Sequence, residues 1–264
     1  MIDQKRLESI VREAGRMALS RWPGDGHTVA NWEKSPGSPV CEADLEVDAF
    51  LKRELAALLP AAGWLSEETA DSTARLERGL CWSVDPIDGT RDYLRGRPGW
   101  AISVALVSER RPLIGMLFAP VAGEFWQATA GQGATRDGAR LRVAQRDELA
   151  GARVPADSLP AADRILAMVD KPNSIALRIA KVAAAEADIV ATLRWGYEWD
   201  IAAATLIARE AGASVSDALG APLSYNKRDP RMLGLLVSAP GIHPAAVAHL
   251  AERAATAQAN KPPL

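Results

Sequence analysis

An apolar run from Leu80 to Val84 ends against Asp85, and Pro86, Asp88, Gly89 and Asp92 follow almost at once. The run has the composition of a buried strand. Pro86 fixes its own φ and Gly89 permits a backbone that other residues resist, so the turn is rigid and particular. Asp85 and Asp88, held about one turn apart, repel each other unless something positive lies between them. A fold for this chain must therefore bury the strand and neutralise the acids at its end. A divalent cation does the second, hard oxygen ligands suit magnesium, and the Ile87 carbonyl between the acids offers a further ligand. Asp-Pro and Asp-Gly are also common turn dipeptides, so the stretch taken alone reads first as a plain polar turn. A calcium loop is excluded, because that motif needs Gly at its sixth position, where Thr90 stands when Asp85 is counted as the first.

Two other places bear on the choice. Glu67 and Glu68 follow a second strand-like run, GWLS, so they can reach the same sheet edge as Asp85. In isolation they read as a solvated loop. Asp200 opens the helical segment EWDIAAATLIAREAG, where an acid ordinarily complements the helix dipole. Taken together, Glu67, Asp85, Asp88 and Asp200 would form one acidic pocket assembled from distant parts of the chain.

The rest of the sequence shows what can carry such a pocket. Leu7, Ile10, Val11, Ala14, Met17 and Ala18 recur at helical spacing and predict a helix over Asp3–Ser20. Residues 23–40 are rich in turn formers and read as a loop with an extended piece. A second helix over 42–59 stops at Pro60. WAISVALVS, PLIGMLFAP and EFWQATA read as strands, and Asp137–Gly138 as a tight turn into ARLRVA. The second half begins near residue 141. SIALRIAKVAAAEA is helical, DIVATL a strand, residues 197–212 a helix, and ASVSD, APLSY and LGLLVSAP short strands; HPAAVAHLAERAATAQA closes the chain as a helix. The alternation gives a mixed α+β class, with residues 1–140 and 141–264 as two halves of one compact unit.

Composition narrows the setting. The 264 residues are 48% hydrophobic, enough for a substantial core, and the formal charge of -2 gives no reason to expect a nucleic acid polymer or an anionic membrane as partner. No run approaches a membrane span. Cys41 and Cys81 lack metal-ligand spacing, and free thiols in a reducing cytoplasm are expected.

DPIDGT at 85–90, EE at 67–68 and WDIAAATLIAREAGA at 199–213 together resemble the inositol monophosphatase superfamily. KSPGSPVCEADLEVD is similar to its N-terminal segment, and NSIALRIAKVAAAEAD to the helix before its second signature. Within the superfamily, DPIDGTRDYLRGRPGWAISVALV followed by GMLFAP most resembles the bacterial 3'(2'),5'-bisphosphate nucleotidase-type members. The resemblance implies an α/β/α/β/α layered sandwich with the active site between its halves. It implies a magnesium-dependent phosphatase holding two or three ions on Glu67, Asp85, the Ile87 carbonyl, Asp88 and Asp200. Glu67 is also expected to take part in catalysis. Asp88, Gly89 and Thr90 would hold the phosphate, and Asp44 would pair with Thr90 to activate water. Lys34, Glu68 and Ser174 match positions near the site without a fixed role. A homodimer and sensitivity to lithium are further implications.

The chain departs from the family at three places. Cys41 stands where the family usually has Thr, the segment before Asn173 lacks a recognisable Ser-Arg-Ser strand, and ATLRWGYEWD does not follow the substrate-contacting loop. The expected substrate is a small phosphate monoester, with 3'-phosphoadenosine 5'-phosphate first. Arg91 and Arg194 would meet its second phosphate, while Trp195 or Tyr197 would offer a face to adenine; surface Arg and core aromatics account for the same residues. An inositol or sugar phosphate is the alternative substrate. A non-catalytic regulatory protein on the same fold is a third reading, which predicts decayed ligands.

Overall fold

The computed structural model describes residues 2–35 and 38–260. Helix α1 (Gln4–Ser20) is capped by Asp3, whose carboxylate accepts the Arg6 N–H at 3.0 Å. A two-stranded hairpin, β1 (Asn31–Ser35) and β2 (Ser38–Cys41), leads into α2 (Glu42–Leu58). Then come β3 (Gly63–Ser66), β4 (Leu80–Asp88), the short α3 (Thr90–Leu94), β5 (Ala101–Ser108), β6 (Arg111–Ala119), β7 (Glu124–Thr129), β8 (Gly133–Arg136) and β9 (Ala139–Arg140). The second half runs β10 (Arg153–Pro155), β11 (Ala167–Val169), α4 (Ile175–Ala183), β12 (Ile189–Tyr197), α5 (Glu198–Glu210), β13 (Ser214–Ser216), β14 (Arg231–Ser238) and α6 (His243–Ala259).

Strands β3 to β9 form a seven-stranded sheet in chain order. Only the β3–β4 pair is parallel. A three-stranded antiparallel sheet, β12-β14-β13, lies in the second half, and β10 pairs in parallel with β11 beside it. Helices α1 and α2 cover one face of the large sheet; α4 and α5 fill the space between the two sheets; α6 covers the outer face of the small one. This is the expected α/β/α/β/α layering.

Burial follows the period of each element. On β5, Ile102, Val104 and Leu106 face α1 and α2, whereas Ala105 and Val107 join the core around α4 and α5. Helix α5 is buried on nearly every side, which suits a helix sandwiched between two sheets better than a one-sided stripe. Its small residues, Ala202, Ala203, Ala204 and Ala208, let both sheets approach closely.

Several sequence expectations need adjusting. The extended piece expected within 23–40 is larger than a single run: it is the β1–β2 pair, which continues to Cys41. Residues 221–225 form no strand, and ARLRVA contributes only the two residues of β9. Asp137 and Gly138, with φ of 49° and 81°, do form the tight turn between β8 and β9. Strands β10 and β11 went unread because each is only three residues long. Among the described residues no helix is long and apolar enough to cross a membrane.

Candidate active site

The parallel pairing of β3 with β4 brings the first two acids together. Ser66 is level with Val84, and the Glu67 N–H continues the ladder to the Val84 carbonyl at 3.3 Å. Glu67 and Asp85 thus leave neighbouring strand ends on the same side, where ligands gather in sheets with parallel strands. Asp200 arrives from above, in the first turn of α5, where its Oδ2 accepts the Tyr197 N–H at 3.0 Å. Glu67, Asp85 and Asp200 each offer one ligand oxygen, and these lie within 4.8 Å of one another.

The β4–β5 register shifts between Asp85 and Asp88, so the chain bulges and sets Asp88 toward α4. Its carboxylate accepts the Ser174 hydroxyl and the N–H groups of Ile175 at 3.3 Å and Ala176 at 2.7 Å. Asp88 therefore ties the start of α4 to the end of β4. Gly89 follows with φ +99°; a Cβ there would stand 2.7 Å from the Gly99 carbonyl oxygen and 2.9 Å from the Ser174 nitrogen, so no other residue fits. Thr90 opens α3, its Oγ1 at 3.1 Å from the Ile87 carbonyl and 3.5 Å from Asp44 Oδ1. Asp44 Oδ2 accepts the Cys41 N–H at 2.8 Å, which fixes the acid at the first turn of α2.

Electrostatics agree with the geometry. Burial, reinforced by Glu67, Asp88 and Asp200, pushes Asp85 well above the ordinary carboxylate range. Burial and Glu67 do the same to Asp200. Asp88 is raised by burial to about 6, with the hydrogen bonds from Ser174 and Ala176 holding it back. Burial lifts Asp44 to about 7. Lys34 Nζ reaches Glu67 at 3.0 Å and Glu68 at 2.6 Å; burial opposes its charge, but the two carboxylates outweigh that and raise it. One ammonium shared at the edge leaves the inner acids crowded. Clustered hard oxygens carrying surplus negative charge are the donor set that magnesium takes. The residues present fit that ion.

Glu67, Asp85, Asp88, Gly89, Thr90, Arg91 and Asp200 all line one cleft of about 230 Å³. Ile87 is buried beneath it and Asp44 stands behind Thr90. Arg194 and Trp195 lie in a neighbouring hollow of about 170 Å³, which shares Ile175 and Asp200 with the cleft. Trp195 directs its indole N–H to the Ala257 carbonyl of α6 at 3.4 Å, while Tyr197 stacks on Trp199 with centroids 4.4 Å apart. Pro39, Asn173 and Ile175 line the cleft as well, and their residue types carry no signal of a site. Ser174 just ahead of an apolar helix is a readable cap signal, and it serves both the Leu177 N–H and Asp88.

The sequence pattern of the inositol monophosphatase family matches residues 4–258. This chain belongs to that family. Members with curated functions include the 3'(2'),5'-bisphosphate nucleotidase CysQ of Aggregatibacter actinomycetemcomitans, 33% identical over 210 residues that cover 74% of this chain and 78% of that protein. The inositol-1-monophosphatase of Mesorhizobium japonicum is 34% identical over 225 residues, covering 78% and 81%. Among solved structures, an IMPase of Thermotoga maritima superposes with a TM-score of 0.81 at 26% identity, over 96% of this chain and 99% of that one. The resemblance drawn from DPIDGT and its partner motifs is thus confirmed, and the chain is a phosphatase of this family.

Proposed function

We propose that this phosphatase hydrolyses a small phosphate monoester with magnesium held by Glu67, Asp85, Asp88, Asp200 and the Ile87 carbonyl. The observation that carries the reading is the convergence of Glu67, Asp85 and Asp200 from three separate elements, their ligand oxygens within 4.8 Å of one another. Bound magnesium supplies Lewis acidity toward phosphate oxygens and makes water a usable nucleophile. The chain's own residues position and deprotonate. Gly89 and Thr90 receive the phosphate at the floor of the cleft. Thr90 Oγ1 orients the attacking water, and Asp44, poised at about 7, takes up the proton through Thr90. Because Asp44 is buried behind Thr90, that proton is kept from bulk solvent.

The substrate we favour is 3'-phosphoadenosine 5'-phosphate, supported by the likeness to CysQ and by Arg91 and Arg194 flanking the cleft and the adjoining hollow. Lithium sensitivity, a homodimeric state and a cytoplasmic setting accompany the reading. The test is magnesium-dependent phosphate release from 3'-phosphoadenosine 5'-phosphate and inositol 1-phosphate, measured side by side. A preference for the nucleotide supports the proposal. A preference for inositol 1-phosphate moves the chain to the polyol branch, which its likeness to the Mesorhizobium japonicum enzyme favours. Release from neither, with magnesium bound, would support a regulatory role on the same fold.

A further inference from the structure

Asp48 is a buried acid with no part in the chemistry above. It lies one helical turn beyond Asp44 on α2, on the same face, and is 6% exposed. Among the described residues it forms no ion pair, and a buried carboxylate in that position is tolerated only if its oxygens are well supplied with hydrogen bonds. Two hydroxyls supply them. Ser66 donates to Oδ1, and Thr69 donates to Oδ2 at 2.5 Å. The Ser66 oxygen in turn accepts the Glu68 N–H at 3.4 Å. Glu67 and Glu68 are the two residues between these hydroxyls.

Residues 67–69 belong to no strand or helix; the Glu67 N–H bonds the Val84 carbonyl and the Glu68 N–H the Ser66 hydroxyl. The ligand oxygens of Asp85 and Asp200, within 4.8 Å, repel that of Glu67, while Lys34 attracts Glu67 at 3.0 Å. Something must hold the turn against that pull. We propose that Asp48 is a positioning residue for the metal site: through Ser66 and Thr69 it clamps the turn so that Glu67 stays beside Asp85 and Asp200. One face of α2 then serves two arms of the site, Asp44 reaching Thr90 and Asp48 reaching the Glu67 turn. The inference rests on the metal-site reading given above.

The test is calorimetric titration of the metal-free protein with Mn²⁺, without substrate, alongside its melting temperature. Partners that orient a metal ligand typically change affinity by about 10–100-fold when removed. Asp48→Ala is expected to weaken Mn²⁺ binding by about tenfold, Asp48→Asn by less, and Thr69→Val by an intermediate factor. The double variant Asp48→Ala/Thr69→Val should be no weaker than Asp48→Ala, because both remove one linkage. If Asp48→Ala does not fold, Thr69→Val alone decides. Wild-type affinity in the folded variants would overturn the inference, including the case in which melting temperature falls and affinity does not. Absence of Mn²⁺ binding by the wild type would instead overturn the metal-site reading and this inference with it.

Discussion

Gly115 of β6 lies directly against Ala203 of α5, so that a Cβ on Gly115 would stand 2.6 Å from the Ala203 carbonyl oxygen. The contact is with backbone, which cannot swing aside. Helix α5 also carries Asp200 in its first turn, so the depth at which the helix sits on the sheet helps set the distance from Asp200 to Asp85. Gly115→Ala is therefore expected to destabilise the fold by about 1–3 kcal/mol, the usual range for overpacking. It should also weaken divalent-cation binding, although Gly115 does not line the cleft. Chemical denaturation together with Mn²⁺ titration checks both. Full stability and full affinity would show that α5 can shift freely on the sheet.

Asp85→Asn separates the two roles of the acidic cluster. The three ligand oxygens within 4.8 Å repel one another when the site holds no cation, and Asp85 is only 2% exposed. The amide can still accept the Ile87 N–H, which reaches Asp85 Oδ1 at 3.1 Å. Metal-free Asp85→Asn should therefore melt above the metal-free wild type near pH 8, and relief of about 1 kcal/mol would raise the midpoint by roughly 2–4 °C. Magnesium should raise the wild-type midpoint and leave that of the variant unchanged, with turnover lost. A variant that magnesium still stabilised would remove Asp85 from the ligand set.

The site was more legible than its supports. Asp85, Asp88 and Glu67 could be read because strand patterning located the ends of β3 and β4, and because turn chemistry at Pro86 and Gly89 is written in residue types. Asp200 was legible as a helix start. What sequence could not show is who holds whom across distance. Ser174 and Asp88 are 86 positions apart, and only the packing of α4 on the sheet makes them partners. The link from Asp48 to Ser66 and Thr69 was equally hidden, since an acid in an amphipathic helix reads by default as solvent-facing. Trp195 was legible only as an aromatic type; that its indole N–H reaches back to Ala257 of α6 could not be read from residues 62 positions apart. Short strands such as β10 and β11 lack enough residues for any period to appear.

Acid should loosen the second half at a defined point. Asp188 is 1% exposed. Burial alone would raise its pKa, but the Arg153 N–H at 2.9 Å, Arg153 Nε at 3.0 Å and Arg153 Nη2 at 2.7 Å outweigh that, and the carboxyl is held below the ordinary aspartate range. Since the folded value is depressed, the unfolded chain binds the proton more readily. The pair's stabilisation is complete above the ordinary aspartate pKa of about 3.9 and is lost as pH falls through the folded value. Asp188→Asn should thus melt below the wild type by a constant margin from pH 5 to 8, and the margin should close below pH 4. Melting curves across that range are the check; a margin that persisted into strong acid would mean that ionisation of Asp188 is not what stabilises the junction of β10 and β12.

Cys41 gives the last prediction, because it stands at the N-cap of α2, three residues before the acid that is to receive the proton. The thiol is fully buried, and burial together with Asp44 pushes its pKa far up, so it remains neutral and chemically inert. A thiol is a weak donor and a weak cap. Cys41→Thr would place a hydroxyl in the same position, able to cap α2 more strongly and to donate to the Asp44 carboxylate. A better donor favours the charged form of its acceptor, so Asp44 should titrate below its present value of about 7. The acid limb of the kcat/KM profile should then move to lower pH, and the melting temperature should rise slightly, the cap being worth up to about 1 kcal/mol. A profile whose acid limb stayed in place, in a variant made more stable by its new cap, would show that another group sets the proton demand of the reaction.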